Sequence, residues 1–193
     1  KDDVHLLMKW LIDCQNNTKS ESITIQEIEE EIQDLKNDFN IMQEMSDLSY
    51  NEWLDEYKNH IIGLNLKKTA VHHNLRPNHI YVNHTDSIIN VIDWEDFEKK
   101  GNPFFDFMWF AITVMTWSND DVKEFSSNLK ETGNAAHTIK IIKEYMNNHF
   151  QTDLDFIILL RFFILKWISF KIKRGSKIDF VYISLLKTLS ENF

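Results

Sequence analysis

The side chains best suited to chemistry lie in two short segments, residues 71–81 (VHHNLRPNHIY) and 91–95 (VIDWE). The first segment carries three imidazoles and the amide of Asn74, and the second carries the carboxylate of Asp93. Carboxylate and amide oxygens are ligands that Mg²⁺ accepts, whereas an imidazole nitrogen suits a transition metal better. A loop and a strand of this kind, held close together, would bring these groups to one site that could bind a metal ion.

A β-hairpin is predicted to hold these two segments together. The apolar, β-branched runs Ile80–Asn83 and Ile88–Asp93 flank the sequence HTDS at residues 84–87, which is typical of a turn. Because the loop ends where the first strand begins, the second strand would bring Asp93 back to the loop.

The rest of the chain is predicted to be helical. Its 193 residues include only 4 Gly and 2 Pro, so few residues would break a helix. Apolar residues recur at helical spacing in eight segments. These are Val4–Gln15, Thr24–Phe39, Tyr50–Ile62, Phe104–Thr116, Asp120–Lys130, Ala135–His149, Leu154–Lys173 and Ile178–Leu189. The predicted fold class is therefore mainly α (α+β), with residues 1–193 forming a single domain that contains one small β-hairpin.

Local signals mark the ends of two of these helices. Thr24 and Glu27 form the S/T-x-x-E pattern of a capping box. Ser49 is a suitable N-terminal cap for the third helix, and Gly63 is a suitable end. The second helix has one apolar seam, which favours packing within the domain over a coiled coil of only two heptads. The seam comprises Ile25, Ile28, Ile32, Leu35 and Phe39.

Composition argues against several classes of protein. The formal net charge of -9 argues against nucleic acid, and against an anionic membrane surface, as a partner. The most apolar window, Phe156–Phe170, is too short and too charged for a membrane span, and a buried helix is predicted there. The single cysteine, Cys14, permits no internal disulfide and fits a reducing, cytoplasmic location.

The loop and the strand resemble those of the aminoglycoside phosphotransferase and choline kinase-like family, which has a protein kinase-like fold. The family's loop reads H-G-D-L-H-P-G-N-I and its later strand reads I-D-W-E. Residues 101–106 (GNPFFD) match the family's next element, G-D-P-x-x-D, whose last residue is usually structural. The resemblance implies the helical C-terminal lobe of a kinase-like phosphotransferase. The loop and strand positions that agree are His72, Leu75, Pro77, Ile80 and Asp93.

The chain departs from the family at the positions that carry out the chemistry. The family's catalytic Asp falls on Asn74, its metal-binding Asn falls on His79, and its glycines fall on His73 and Asn78. An amide can hydrogen-bond an acceptor hydroxyl but cannot take its proton. The loss of a general base costs about 10²–10⁴-fold in rate, which lowers activity without necessarily abolishing it.

The resemblance implies ATP and Mg²⁺ as cofactors, with Mg²⁺ held weakly. Asp93 is the family's remaining metal ligand, because the imidazole of His79 is a poor ligand for Mg²⁺. His72 is expected to support the loop by hydrogen bonds to the backbone. A zinc site built from His72, His73, His79 and His84 would match no zinc motif, so no zinc is expected.

A complete kinase also needs a β-rich lobe with a glycine-rich loop and a lysine that pairs with phosphates. The four glycines of this chain are scattered and build no such loop. The missing lobe is expected either upstream of Lys1 or not at all.

Two functions are predicted as alternatives, and a third is weaker. In the first, the chain is a degenerate, pseudokinase-like lobe that acts in binding or regulation as a module of a larger enzyme, with a small-molecule acceptor or a partner protein or domain. In the second, it is the C-lobe of a divergent but active ATP- and Mg²⁺-dependent small-molecule O-phosphotransferase. Asn74 and His79 together favour the first. The third is a structural helical scaffold whose motif is a relic.

Two acidic features have alternative interpretations. Asp86 could act as a displaced base, but its place in the predicted turn explains an Asp there more simply. The carboxylates of the helix Thr24–Phe39 could attract a cationic acceptor, or they could form a solvated surface, which is the favoured interpretation.

Overall fold

A computed structural model describes residues 2–40, 42, 48–116, 121–177 and 180–193 of the chain. It confirms a mainly helical α+β fold, with two small antiparallel sheets. The helices that it describes are α1 (Asp2–Thr18), α2 (Ile25–Phe39), α3 (Tyr50–Ile61), α4 (Phe105–Met115), α5 (Asp121–Leu129), α6 (Ala136–Phe150), α7 (Phe156–Lys173) and α8 (Phe180–Asn192).

The predicted β-hairpin is present, and it is joined by a second sheet that was not predicted. Strands β2 (Ile80–Asn83) and β3 (Ile88–Val91) pair in a regular antiparallel register around the turn at 84–87. Strands β1 (Thr69–Val71) and β4 (Glu98–Gly101) form the other sheet, with an irregular register. The predicted hairpin is therefore confirmed, but the β1–β4 sheet was missed, because β1 is too short to show an alternating pattern and pairs with a strand far along the sequence.

The helix boundaries differ from the predicted ones by a few residues at most where the structure describes them. The capping box at Thr24 is confirmed, since its hydroxyl accepts from the Glu27 N–H and its own N–H donates to the Glu27 carboxylate. Ser49 is the N-cap residue of α3, as predicted, but its side chain makes no capping hydrogen bond, because its backbone (φ -74, ψ 39) lacks the extended conformation that such a bond needs. The predicted helix starts at Asp120 and Ile178 lie outside the described residues.

The chain divides into two compact units. The first unit comprises Lys1–Ser22 and Leu66–Leu154, and therefore contains α1, both sheets, α4, α5 and α6. The second unit comprises Ile23–Asn65 and Asp155–Phe193, and contains α2, α3, α7 and α8.

In the second unit, α2 packs against α3 and α7, as expected of a helix packed within a domain. The seam of α2 is buried except for Ile25, which is 54% exposed; its predicted burial was wrong because it lies at the first position of the helix. The α7 helix is buried on most of its circumference, which confirms the prediction of a core helix. None of the helices in the described ranges has the length and apolar character needed to cross a membrane.

The first unit buries large side chains of α1 and α4, and α4 is apolar on nearly its whole surface. The α1 helix contacts α6 and a strand of each sheet, and α4 contacts the 3₁₀ turn Pro77–His79 at the end of the loop. Both helices therefore help to position the loop at residues 71–79. The buried residues include Leu7, Met8, Leu11, Phe104, Phe107 and Met108.

A short chain of hydrogen bonds joins α1 to α6 in the first unit. The buried Gln15 donates from Nε2 to the Pro103 carbonyl at 2.6 Å, and its Oε1 lies 3.1 Å from His149 Nε2. Since Gln15 Oε1 can only accept, Nε2 of His149 carries the proton. Burial, with a smaller contribution from Lys19, lowers the pKa of His149 from its ordinary 6.5.

We expect His149→Gln to make the protein less sensitive to acid. Below pH 6.5 the unfolded chain takes up a proton at His149 that the folded chain refuses until its lowered pKa is reached. Stability is therefore lost as the pH falls through 6.5 toward that lower pKa. Urea unfolding at about pH 7.5 and about pH 5.5 should show a smaller difference for His149→Gln than for the wild type. The exposed His137 lies on the same helix, so His137→Gln should keep the wild-type difference; equal differences in all three proteins would contradict the prediction.

Candidate functional site

The start of the loop is fixed by a buried carboxylate in α4. Asp106 accepts hydrogen bonds from the backbone N–H of His72 at 2.8 Å and from that of His73 at 3.0 Å, one on each oxygen. Its side chain is almost fully buried, and burial raises the pKa of Asp106, although the two N–H groups act in the opposite direction. Asp106 thus holds the loop against α4, which is the structural contact implied for the last residue of GNPFFD.

His72 links the loop to the residue before Asp93. Its Nδ1 accepts the backbone N–H of Asn74 at 3.2 Å, so Nε2 carries the proton and donates to the Ile92 carbonyl at 2.8 Å. The ring is 1% exposed, and its centroid lies 4.5 Å from that of Trp94 in an edge-on arrangement. Both ring nitrogens of His72 therefore hydrogen-bond to the backbone, one to the loop at Asn74 and the other to the chain just before Asp93.

The three remaining predicted site residues, Asn74, His79 and Asp93, lie together in space. Asn74 Nδ2 donates to Asp93 Oδ2 at 3.1 Å, and His79 Nε2 lies 3.3 Å from the same oxygen. His79 Nδ1 donates to the backbone carbonyl of Asn74 at 2.9 Å, which fixes the direction of the ring. The exposed fraction of the side chain is 12% for His79 and 36% for Asp93, so a ligand could reach the carboxylate from solution.

Two residues of the site have a left-handed backbone. His73 has φ 65 and Asp93 has φ 66, and this conformation costs a side chain-bearing residue about 1–2 kcal/mol. A glycine of the family's loop falls on His73, so the positive φ there could have been foreseen from the resemblance. The predicted strand Ile88–Asp93 was too long, because β3 ends at Val91 and the chain turns at Asp93.

Sequence reasoning missed the partner of His73. His73 Nε2 lies 2.8 Å from a carboxylate oxygen of Glu98 in β4, and its ring packs on Phe105 at 4.3 Å between centroids. Glu98 could not be placed near the loop without the sheet that β4 forms with β1.

Arg76 falls where the family has its second His. Its guanidinium lies over the ring of Trp109, 5.6 Å from the centroid. The Nε atom of Arg76 is buried and makes no hydrogen bond to the part of the chain that the structure describes.

The four imidazoles considered for zinc have different partners. His72 contacts the backbone, His73 contacts Glu98 and His79 contacts Asp93, whereas His84 lies 3.5 Å from Asp3 with both side chains exposed. Across the described ranges, no group of three or more His, Cys, Asp and Glu side chains is placed to hold a metal ion.

Asp86, considered as a displaced base, lies in the turn of the hairpin. It accepts a hydrogen bond from Asn83 Nδ2 at 3.0 Å, as expected of a turn residue.

The residues at the site do not fit Mg²⁺, the metal that the resemblance implies. Mg²⁺ requires near-octahedral oxygen ligands at about 2.0–2.1 Å and binds nitrogen poorly. Here Asp93 supplies an oxygen, but its two neighbours present the ring nitrogen of His79 and the amide nitrogen of Asn74. Even with the Asn74 amide turned to present its oxygen, the ring nitrogen of His79 remains a poor ligand for Mg²⁺.

Comparisons of this chain with protein-family models, with curated protein sequences and with solved structures found no match. The resemblance to the phosphotransferase family therefore depends on the residues of the loop and strand.

Proposed function

We propose that this chain is a degenerate, pseudokinase-like phosphotransferase lobe that acts in binding or regulation, as a module of a larger enzyme. The observation that carries this proposal is the direction of the Asn74 side chain. At the position of the family's base, its amide nitrogen donates to Asp93.

Asn74 offers no group that could take a proton from an acceptor hydroxyl. Its Nδ2 is a donor engaged with Asp93, and an amide oxygen is too weak a base for the task. In the present orientation of the amide, Oδ1 is buried from solvent, and an amide oxygen turned toward Asp93 would still be too weak a base. A catalytic base must lie within hydrogen-bond reach of the proton that it removes.

The contacts that shape the loop support binding as the retained function. Asp106 holds both N–H groups at the start of the loop, and His72 joins the loop to the strand that precedes Asp93. Each is a buried polar contact that would cost free energy if left unpaired. A nucleotide is the ligand class that the resemblance implies, and a small-molecule acceptor or a partner protein or domain would bind beside it.

The exposure of Asp93 favours an active O-phosphotransferase as the second candidate. Its carboxylate is 36% exposed and could still meet a ligand. Because phosphoryl transfer depends mainly on positioning and electrostatics, loss of the base would slow the reaction without necessarily abolishing it.

The two candidates are distinguished by nucleotide binding and turnover in the full natural protein. We expect ATP, with Co²⁺ or Mn²⁺, to raise the Tm without phosphoryl transfer above the background of Asp93→Ala. At ten times Kd, binding would add about 1.4 kcal/mol, which corresponds to roughly 3–6 °C for a chain of this size. The shift should be absent in Asp93→Ala and present in Asp86→Ala, which removes an exposed carboxylate from the same hairpin.

Phosphorylation of a hydroxyl acceptor that Asp93→Ala abolishes would overturn the degenerate interpretation in favour of the active enzyme. If ATP produced neither a shift in Tm nor turnover, both the degenerate lobe and the active enzyme would be contradicted. The structural scaffold would then remain as the interpretation.

A further inference from the structure

His79 and Asp93 present two hydrogen-bond acceptors to each other. The Asn74 carbonyl can only accept, so the proton of the neutral His79 ring lies on Nδ1. Its Nε2 then carries a lone pair, and this atom lies 3.3 Å from the carboxylate oxygen Oδ2 of Asp93. Two acceptors at this distance repel each other unless a cation, either a proton or a metal ion, lies between them.

The distances fit a metal ion better than a shared proton. A charged N–H···O⁻ hydrogen bond is usually about 2.7–2.9 Å long, shorter than the separation of His79 Nε2 and Asp93 Oδ2. Two ligand atoms at about 2.1–2.2 Å from one ion, at a right angle, lie about 3 Å apart. The separation of Asp93 Oδ2 from His79 Nε2, 3.3 Å, is close to that value.

The Asn74 amide can supply an oxygen to the same ion. A half-turn of the amide group exchanges Oδ1 and Nδ2, which have nearly the same shape. In its present position, Oδ1 is buried and makes no hydrogen bond to any residue in the described ranges. The half-turn breaks no hydrogen bond of Oδ1, but it breaks the one from Nδ2 to Asp93 and buries Nδ2 in its place. The ion that the amide oxygen and Asp93 then share has to offset this loss.

We propose that His79, Asp93 and the Asn74 amide form a site for a borderline divalent ion such as Co²⁺, which the imidazole selects over Mg²⁺. The Nδ1–H bond to the backbone carbonyl is the contact that commonly orients a metal-binding histidine. Water or phosphate oxygens complete the coordination. Where the oxygens belong to a nucleotide phosphate, the inference rests on the proposed function. Binding of the metal ion without a nucleotide does not depend on the proposed function.

Titration with Co²⁺ alone, followed by calorimetry and by Tm, tests this site. We expect the wild-type protein to bind Co²⁺ at least about 10-fold more tightly than Mg²⁺. His79→Asn should lower the affinity for Co²⁺ about 10-fold or more and leave that for Mg²⁺ equal or higher, because the amide offers oxygen in place of nitrogen.

His84→Asn is the matched control, because His84 also faces a carboxylate, that of Asp3, but in an exposed pair. This variant should bind Co²⁺ as the wild type does. Asp93→Asn is a second variant that should lose Co²⁺ binding, and it should fold because Asn tolerates the positive φ at this position.

Equal Co²⁺ affinity in the wild type and in His79→Asn would overturn the proposed site, as would loss of binding in His84→Asn. Such a result would leave a proton-bridged pair as the explanation of the geometry. If Co²⁺ binds as expected but ATP does not, the metal site stands and the proposed function fails. If ATP binds and Co²⁺ does not, the proposed function stands and the metal site fails.

Discussion

Asp106→Ala is expected to lower the free energy of unfolding of the first unit by about 3–5 kcal/mol. The substitution leaves two buried N–H groups, those of His72 and His73, without their acceptor, and each costs about 1–3 kcal/mol. It also leaves a cavity at a side chain that is 3% exposed. Urea denaturation would measure the global effect, and hydrogen exchange of these two amides would show whether the loop opens first.

Asp106→Asn separates the hydrogen bonds from the volume of the side chain. The amide keeps one acceptor but turns an NH₂ group toward the other N–H, so we expect roughly half of the loss seen for alanine. Asp86→Ala removes an exposed turn carboxylate and should change stability by no more than about 0.5 kcal/mol. If Asp106→Ala were no more harmful than Asp86→Ala, Asp106 would not hold the loop.

Local patterns made most of the helices and the hairpin predictable. The capping box of Thr24 and Glu27 involves residues three apart, so its hydrogen bonds follow from the sequence alone. The β2–β3 hairpin likewise joins neighbouring runs through a four-residue turn. Structure of this kind is encoded within a window of a few residues.

The β1–β4 sheet was not predictable because its pairing is non-local and its composition is misleading. Strand β4 has the sequence EKKG, which shows no apolar alternation. Its last residue, Gly101, lies so close to β1 that an added Cβ would come within 2.7 Å of Val71. A glycine selected by close approach to a distant strand cannot be distinguished in the sequence from one selected by a turn.

At the candidate site, the sequence predicted which residues lie close together but not which hydrogen bonds they form. Asn74, His79 and Asp93 were expected together because the resemblance placed them in one loop and strand. The shared oxygen of Asp93, the tautomer of His79 and the orientation of Asn74 depend on distances of a few tenths of an ångström. Those distances are set by Asp106 and His72, whose contacts span 20 residues or more of sequence.

His72→Phe is expected to reduce the stability of the first unit by about 2–4 kcal/mol and to lower Co²⁺ affinity about 10-fold or more. The phenyl ring keeps the volume and the contact with Trp94, but it removes the acceptor for the Asn74 N–H and the donor to the Ile92 carbonyl. Asn74 and Asp93 would then no longer be held by one ring. Urea denaturation and Co²⁺ titration below the Tm of the variant would measure the two effects separately.

A positioning role for His72 and a merely structural one give different results in this experiment. His72→Gln can both accept and donate, so it should restore part of the metal affinity as well as part of the stability. His84→Phe, on the exposed end of the hairpin, should leave both unchanged. If His72→Phe reduced stability but bound Co²⁺ as tightly as the wild type, the ring would serve the fold alone. The metal site would then have to be held in place by Asp106 and the hairpin without His72.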